Sequence, residues 1–330
     1  MGSVLLTRRV PSSVLAPLEA QHDVDVYRGD GAIPREELLQ RVRDKDALIC
    51  VLTDRIDDEV MAAGSRLKIV ANIAVGYDNI DVPAVRRHGA VATNTPDVLT
   101  EATAELTWAL ILSLARRVTE GDRLVRAGGW KGWTLDFMLG TELRGKQLGI
   151  VGAGRIGRAV AARASAFGMT AVFARRPGAP AAQPTPEAKR GAGGHRGEAA
   201  APSANLDEVL VTSDVITLHV PGSAATRHLI DRKAFARMKR SVLLVNTARG
   251  SVVDEEALIW ALGERLIAGA ALDVYPKEPD VNPALMAFEN VVLAPHLGSA
   301  TRETRLAMVE LAVRNVLAVL AGAGPLTPIG

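Results

Sequence analysis

Short apolar runs alternate with segments of helical spacing along the first part of the chain. The runs predict buried strands at residues 4–6, 24–27, 47–52, 67–71 and 90–93. The segments between them predict helices, among them residues 35–42, 57–63 and 82–88. Strands that alternate with helices in this way indicate a parallel sheet with helices on its faces.

The same alternation returns after residue 146. Further strands are predicted at residues 148–151, 170–174, 215–220, 242–246, 270–274 and 291–294, with helices at 206–211, 232–239 and 254–264. A long helical pattern at residues 101–127, ended by Gly128 and Gly129, precedes this part, and another at 301–320 follows it. The two alternating parts predict two α/β domains, which a chain of 330 residues can accommodate.

Residues 176–205 interrupt this alternation. Prolines and glycines recur among many alanines there, a composition that predicts neither a regular helix nor a buried strand. We expect a flexible insertion, mobile over residues 177–204 and open to proteases at Lys189, Arg190 or Arg196.

A glycine turn at residues 152–157 stands between a predicted strand and a predicted helix that begins at Arg155 or Ile156. Gly152 permits a tight turn, Gly154 lets the backbone approach a pyrophosphate, and Gly157 lets helix and strand pack closely. The start of the helix adds N–H donors and the positive end of its dipole. This context predicts a dinucleotide-binding site.

Composition narrows the class of protein. The net charge is +2, and no Lys/Arg block with interleaved aromatic residues is present, so we expect no nucleic acid partner. The single cysteine, Cys50, excludes a disulfide within the chain and favours a reducing compartment. We see no signal peptide and no apolar run that could span a bilayer, and we expect a cytoplasmic protein with no membrane partner.

Three candidate catalytic residues each follow a predicted strand. Arg249 offers a planar cation suited to a carboxylate, and His296 offers an imidazole that can exchange a proton near neutral pH. Glu278 can hold that imidazole and stabilise its charged form. Taken singly, an arginine or glutamate on a loop is usually solvated, and a histidine after a strand is more often structural.

The combination of motifs resembles the D-isomer-specific 2-hydroxyacid dehydrogenases, most closely their glyoxylate/hydroxypyruvate reductase branch. The resemblance covers nearly the whole chain. It rests on the stretch Val-Gly-Tyr-Asp-Asn-Ile-Asp at residues 75–81, on the glycine turn, and on the matching stretches 94–101, 218–221, 246–250, 272–279 and 295–301.

The resemblance implies two doubly wound parallel-sheet domains, with a Rossmann cofactor domain (residues 99–296) inserted in a flavodoxin-like substrate domain (1–98 and 297–330). It implies that Arg249 binds the substrate carboxylate and that His296 donates the proton, with Glu278 as its partner. Backbone N–H groups of Val75 and Gly76 would hold the other side of the carboxylate. The remaining implied positions contact the cofactor: Thr103, Gly152, Gly154, Arg155, Ile156, Gly157, Pro221, Thr226, Thr247, Asp273 and Gly298.

The end of the second cofactor-domain strand departs from the NAD-specific pattern of that family. The usual acidic residue is absent, and Arg175 and Arg176 stand there instead. These cations can pair with a ribose 2′-phosphate, so we expect NADP(H) to be preferred and NAD(H) to be possible.

The expected function is reduction of a small 2-oxo acid by NADPH, with no metal. A 3-phosphoglycerate-type dehydrogenase stays open as an alternative, as does a dinucleotide-sensing corepressor on the same fold. A homodimer is expected because the 101–127 pattern is apolar on more than one face and the large aromatic residues Trp130 and Trp133 follow it.

Overall fold

A computed structural model describes residues 1–175 and 201–329 of the chain. Its strands, in chain order, are β1 Ser3–Leu6, β2 Asp23–Val26, β3 Ala47–Cys50, β4 Ile69–Asn72, β5 Val91–Thr93, β6 Gln147–Val151, β7 Thr170–Ala174, β8 Ser203–Ala204, β9 Val215–Leu218, β10 Leu243–Asn246, β11 Gly269–Leu272 and β12 Val291–Leu293. Its helices are α1 Ser12–Glu19, α2 Arg35–Arg41, α3 Asp58–Ala63, α4 Val82–Arg87, α5 Thr100–Ala115, α6 Val118–Arg126, α7 Arg155–Ala164, α8 Leu206–Thr212, α9 Arg232–Arg237, α10 Glu255–Gly263, α11 Pro283–Met286 and α12 Arg302–Leu320.

The chain divides into two compact units. The first comprises Met1–Leu99 and Ser299–Gly330, and the second comprises Thr100–Gly298. Each unit is built on one parallel sheet, so the predicted α/β class is confirmed. None of the helices in the described ranges is both long enough and apolar enough to span a membrane.

The first unit has a five-stranded sheet in the order β2-β1-β3-β4-β5. The two strands β3 and β4 are buried along their whole length, because helices cover both faces of the sheet. Side-chain caps fix where several helices begin. The Asp57 side chain accepts the Val60 N–H before α3, and the Asp81 side chain accepts the Ala84 N–H before α4. The Thr301 side chain accepts the Thr304 N–H before α12.

The second unit has a seven-stranded sheet in the order β12-β11-β10-β9-β6-β7-β8. The chain leaves β6 toward β7 on one side and later returns to β9 on the other side of β6. The strand order therefore reverses beside β6, and ligands of open α/β sheets bind outside the carboxyl ends of the strands at such a point. The glycine turn at residues 152–157 follows β6 directly.

The single helix predicted at residues 101–127 is wrong, because two helices, α5 and α6, occupy this segment. Arg117, at the junction, has a left-handed backbone conformation with φ of 55°, which ends the helical run. The Thr141 N–H donates to the last carbonyl of α5, Ala115 O, at 2.7 Å. A contact distant in sequence thus ends α5 where the local pattern predicts that it continues.

Neither a regular helix nor a buried strand is predicted for residues 176–205, and a two-residue edge strand lies at the end of this segment. Ser203–Ala204 forms the edge strand β8, and Phe173 N–H and Arg175 N–H donate to Pro202 O and Ala204 O, both at 2.8 Å. The open edge of β7 needs these acceptors, and a proline can supply one because only its N–H is missing. Mobility is predicted for residues 177–204, of which residues 177–200, with all three predicted cleavage sites, lie outside the described part of the chain.

Candidate active site

Three neighbouring strands of the second unit present the candidate catalytic residues at one edge of the sheet. Arg249 follows β10, Glu278 follows β11 and His296 follows β12, and these strands are adjacent in the order β12-β11-β10. Because all three strands are parallel, their carboxyl ends meet at the same edge.

Glu278 and His296 form a direct pair. Glu278 Oε2 lies 2.7 Å from His296 Nδ1, and Glu278 Oε1 accepts the Tyr275 N–H at 2.9 Å. Both carboxylate oxygens are therefore engaged, and the imidazole is held by one nitrogen. No described residue makes a hydrogen bond with His296 Nε2, and the side chain is 28% exposed. Nε2 is the nitrogen left to meet a ligand.

The environment of Glu278 favours its charged form. Burial raises the pKa of this carboxyl, but hydrogen bonds from His296 and the Tyr275 N–H, with the charges of His296 and Arg249, more than offset burial and lower its pKa below 4.5. A carboxylate that stays ionised can stabilise a positive charge on the neighbouring imidazole.

Asp273 holds the turn that carries His296. Its Oδ1 accepts the Leu297 N–H at 2.6 Å, its Oδ2 accepts the Gly298 N–H at 2.9 Å, and its own carbonyl accepts the His296 N–H at 3.0 Å. These three bonds fix His296 in a left-handed conformation with φ of 54°. Burial is the main cause that raises the pKa of Asp273 above its ordinary value.

Arg249 sits on a turn that is closed by Asn246. Asn246 Oδ1 accepts the Ala248 N–H at 3.0 Å, and Asn246 Nδ2 donates to Arg249 O at 2.9 Å. The next residue, Gly250, packs so closely on the following loop that a Cβ there would lie 2.0 Å from the Tyr275 carbonyl carbon. This contact seats the Arg249 turn against the backbone that precedes Glu278.

The glycine turn after β6 has the shape that a dinucleotide phosphate requires. Gly152 has φ of 117°, and a Cβ there would lie 2.5 Å from His219 O, whereas a Cβ at Gly157 would lie 2.0 Å from Gly152 O. A Cβ at Gly154 would meet no protein atom within 4 Å, so the space before it is open. Arg155 and Ile156 begin α7 behind that space, with the N–H groups of a first helical turn.

Two buried nitrogens beside this turn have no hydrogen-bond partner among the described residues. They are Nε of Arg175, just beyond β7, and Nδ1 of His219, just beyond β9. Burial lowers the pKa of His219 to about 3, so its imidazole is neutral. Buried polar nitrogens without a partner at a site with open space fit a polar ligand. Arg176 lies outside the described residues.

Several of the other predicted cofactor positions form hydrogen bonds within the second unit. Thr103 Oγ1 donates to Gly298 O at 3.0 Å, and Thr247 Oγ1 lies 3.1 Å from Thr107 Oγ1. On the loop after β9, Thr226 Oγ1 donates to Pro221 O at 2.6 Å. Val75 and Gly76 belong to the first unit, in the turn after β4.

Sequence reasoning missed the supporting residues His219, Asn246 and Tyr275. Each lies within a stretch singled out in the sequence, at residues 218–221, 246–250 and 272–279. Only the folded contacts show that Asn246 closes the Arg249 turn and that the Tyr275 N–H donates to Glu278 Oε1.

Comparison with known proteins identifies the family. The family described as "D-isomer specific 2-hydroxyacid dehydrogenase, NAD binding domain" matches residues 108–298. A glyoxylate reductase of Thermococcus kodakarensis is 46% identical over 328 residues, which cover 98% of this chain and 95% of that protein. A glyoxylate reductase of Aeropyrum pernix is 47% identical over 327 residues, which cover 98% of this chain and 94% of that protein.

Solved structures agree with this result. A protein from Thermus thermophilus has a TM-score of 0.89 at 45% identity, covering 99% of this chain and all of the other. An NADPH-dependent glyoxylate/hydroxypyruvate reductase from Sinorhizobium meliloti, in complex with NADP and malonate, has a TM-score of 0.83 at 32% identity, covering 100% of this chain and 97% of that one. The chain belongs to the D-isomer specific 2-hydroxyacid dehydrogenase family, and it is an oxidoreductase that uses a nicotinamide dinucleotide.

Proposed function

We propose that the protein reduces small 2-oxo acids, glyoxylate and hydroxypyruvate foremost, with NADPH as the preferred donor. The observation that carries this proposal is the Glu278–His296 pair at 2.7 Å on the same sheet edge as Arg249. One group that exchanges a proton and one fixed cation are what reduction of a carbonyl beside a carboxylate requires. The relatives named as glyoxylate reductases support this choice of substrate.

His296 is assigned the proton transfer. A reduced nicotinamide supplies a hydride to the substrate carbonyl carbon when it is bound. As negative charge develops on the carbonyl oxygen, His296 donates the proton on Nε2, and Glu278 stabilises the charged imidazole through Nδ1. Asp273 keeps the ring in place by holding the N–H groups of Leu297 and Gly298.

Arg249 is assigned the substrate carboxylate. A guanidinium can donate two parallel hydrogen bonds to a carboxylate, which fixes the carbonyl as well as the charge. The Asn246 bonds that close its turn reduce the freedom of the backbone that carries it. The backbone N–H groups of Val75 and Gly76, in the first unit, are assigned as the remaining donors to the carboxylate. On this assignment, the predicted substrate domain (residues 1–98 and 297–330) corresponds to the first unit, and the predicted cofactor domain (residues 99–296) corresponds to the second.

Arg175 supports the preference for NADPH. It stands at the end of β7, where an acidic side chain would repel a 2′-phosphate, and its Nε has no partner among the described residues. The Sinorhizobium meliloti relative, described as NADPH-dependent, is consistent with this choice. The implied cofactor contacts of Thr103, Pro221, Thr226, Thr247, Asp273 and Gly298 belong to the same proposal.

The surface after α5 supports the proposal of a homodimer. Helix α6 has no buried residue, and apolar side chains remain exposed beyond it, with Trp133 at 75% and Leu135 at 84% exposure. An apolar segment of this extent needs a covering surface, and we assign that role to a second copy of the chain. Light scattering tests this assignment, since a monomer at micromolar concentration would overturn it. A cytoplasmic location stays a proposal.

The direct test is NADPH oxidation with a panel of short 2-oxo acids, repeated with NADH and with 3-phosphohydroxypyruvate. We expect turnover that depends on glyoxylate or hydroxypyruvate and is faster with NADPH. Preference for the phosphorylated substrate would favour a 3-phosphoglycerate-type dehydrogenase. Tight NADPH binding without turnover of any acid would favour the corepressor alternative.

A further inference from the structure

Three consecutive carbonyl groups are held in the turn after β4. Ala74 O accepts the Thr95 N–H at 2.9 Å, Val75 O accepts from Asn94 Nδ2 at 2.8 Å, and Gly76 O accepts from Asn72 Nδ2 at 2.9 Å. Each of these carbonyls belongs to a different peptide group, so three successive peptide planes are fixed by donors outside the turn.

Planarity of the peptide group sets the direction of the N–H groups. In a trans peptide the N–H points away from the carbonyl of the same plane. The carbonyls of Ala74 and Val75 both face the adjacent residues Asn94 and Thr95, so the N–H groups of Val75 and Gly76 both face away from them, on one side. Neither N–H donates to an acceptor among the described residues of this unit. Successive N–H groups on one side form a small anion-binding concavity.

Asn72 is itself fixed within the unit. It is fully buried, its Nδ2 also reaches Asn79 Oδ1 at 3.2 Å, and its Oδ1 lies 3.6 Å from the thiol of Cys50. Asn79 in turn donates to Val51 O at 3.1 Å. An amide held at both ends cannot release Gly76 O without leaving a buried polar group unpaired.

Asn94 is held from behind by residues near the end of α12. Thr327 Oγ1 donates to Asn94 O at 2.6 Å, and Asn315, which is fully buried, donates from Nδ2 to Thr327 Oγ1 at 2.9 Å. Asn315 Oδ1 also accepts the Thr327 N–H at 3.0 Å. A continuous chain of hydrogen bonds thus joins Asn315, Thr327 and Asn94 to the carbonyl of Val75.

We propose that Asn94 is a positioning residue that, through the Val75 carbonyl, aims the Gly76 N–H at the substrate carboxylate beside the Val75 N–H, and that Thr327 and Asn315 keep Asn94 in place. Asn72 fixes the peptide plane that follows, through the Gly76 carbonyl. This inference rests on the proposed function, since it needs a carboxylate substrate at these donors. It assigns to the last residues of the chain an effect on substrate affinity.

The test measures substrate and cofactor affinity separately in Asn94→Ala. We expect KM for glyoxylate, and the inhibition constant of the unreactive analogue oxamate, to rise about tenfold or more, because a charge-assisted hydrogen bond is lost. The NADPH dissociation constant and the kcat at saturating glyoxylate should change by less than about threefold, because neither Asn94 nor the carbonyl that it holds touches the reacting atoms. Asn290→Ala is the matched control, since Asn290 Nδ2 also holds a backbone carbonyl, Ala268 O at 2.8 Å, in the second unit.

Thr327 provides a second pair of variants in case Asn94→Ala does not fold. Thr327→Val removes the hydroxyl and should raise KM for glyoxylate, whereas Thr327→Ser keeps the hydroxyl and should restore it. An unchanged KM in folded Asn94→Ala, or in Thr327→Val, overturns the inference. If Arg249→Lys raises KM while these variants do not, only the positioning role fails. A wild-type protein without activity on any 2-oxo acid overturns the proposed function together with this inference.

Discussion

Replacement of Glu278 by glutamine tests how the His296 pair works. Glu278 serves two donors at once, the Tyr275 N–H at Oε1 and His296 Nδ1 at Oε2. Glutamine has nearly the same shape but only one acceptor oxygen, and its NH₂ group can only donate. Glu278→Gln therefore satisfies one of the two donors and also removes the negative charge next to the imidazole.

The size of the effect follows from the lost charged hydrogen bond. Such bonds are worth about 1.5–3 kcal/mol. The two side chains are only 28% and 25% exposed, so solvent screens the pair in part. Because about 1.4 kcal/mol corresponds to a tenfold change in rate, kcat should fall about tenfold to a hundredfold. The pKa of Glu278 lies below 4.5, so the carboxylate that the variant removes is charged throughout the neutral range.

The assay compares kcat for glyoxylate and the NADPH dissociation constant in wild type and variant. Glu255→Gln is the matched control, because Glu255 Oε1, in the same unit, accepts from a neutral amide, Asn282 Nδ2 at 3.1 Å. The control should keep its activity, and NADPH affinity should be unchanged in both variants. If Glu278→Gln retains kcat within twofold, the carboxylate does not support the proton donor and the assigned role is wrong.

Variants at three further residues test other contacts. Arg249→Lys keeps the charge but loses the two-point geometry, so kcat/KM for glyoxylate should fall about tenfold or more; unchanged kcat/KM would remove Arg249 from the carboxylate site. Arg175→Gln should lower the ratio of kcat/KM for NADPH to that for NADH by about tenfold, and an unaltered ratio would mean that Arg175 does not contact the 2′-phosphate. Asp57 caps α3, and its Oδ1 lies 2.6 Å from Arg35 Nη2. Burial raises the pKa of Asp57, but the hydrogen bonds from Arg35 and from the Val60 N–H outweigh burial and lower that pKa below 3.8. The ion pair with Arg35 therefore stabilises the fold fully above about pH 3.8, the ordinary pKa of the carboxyl, and this stabilisation is lost as the pH falls through the lowered pKa of Asp57. In urea unfolding, Asp57→Asn should lower the free energy of unfolding by about 0.5–1 kcal/mol at neutral pH and leave it unchanged in acid. Asp57→Ala also removes the cap and should still lower it by about 1 kcal/mol in acid. Equal losses at both pH values in Asp57→Asn would contradict the charge effect.

Much of the fold could be predicted because the central strands are buried on both faces. Residues 47–50 and 242–245 are continuous apolar runs for that reason, and the strand–glycine–helix pattern locates the turn at residue 152 directly. Helix α1 was not predicted because Pro17 lies inside it, a residue that usually ends a helix. The break at Arg117 and the strand β8 depend on partners elsewhere in the chain, so no local pattern announces them.

In the candidate site, too, some residues could be predicted from the sequence and others could not. Residue type and strand-end placement single out Arg249, Glu278 and His296, because parallel strands bring their carboxyl ends together. The residues that hold these groups are different. Asn246 and Asn94 act on backbone carbonyls, and an asparagine in a loop has many such partners within reach. Only the folded contacts select among them.

Reduction of a small 2-oxo acid, with His296 as the proton donor, is the activity that we propose for this protein. The most direct measurement is NADPH oxidation with glyoxylate by wild type and by His296→Ala, followed through NADPH absorbance, with glycolate quantified as product. We predict one glycolate for each NADPH oxidised by wild type, a kcat lower by about 10²–10⁴-fold in the variant, and unchanged NADPH affinity. No glyoxylate-dependent oxidation by the wild type, or a kcat in His296→Ala within a few-fold of wild type, would contradict the claim.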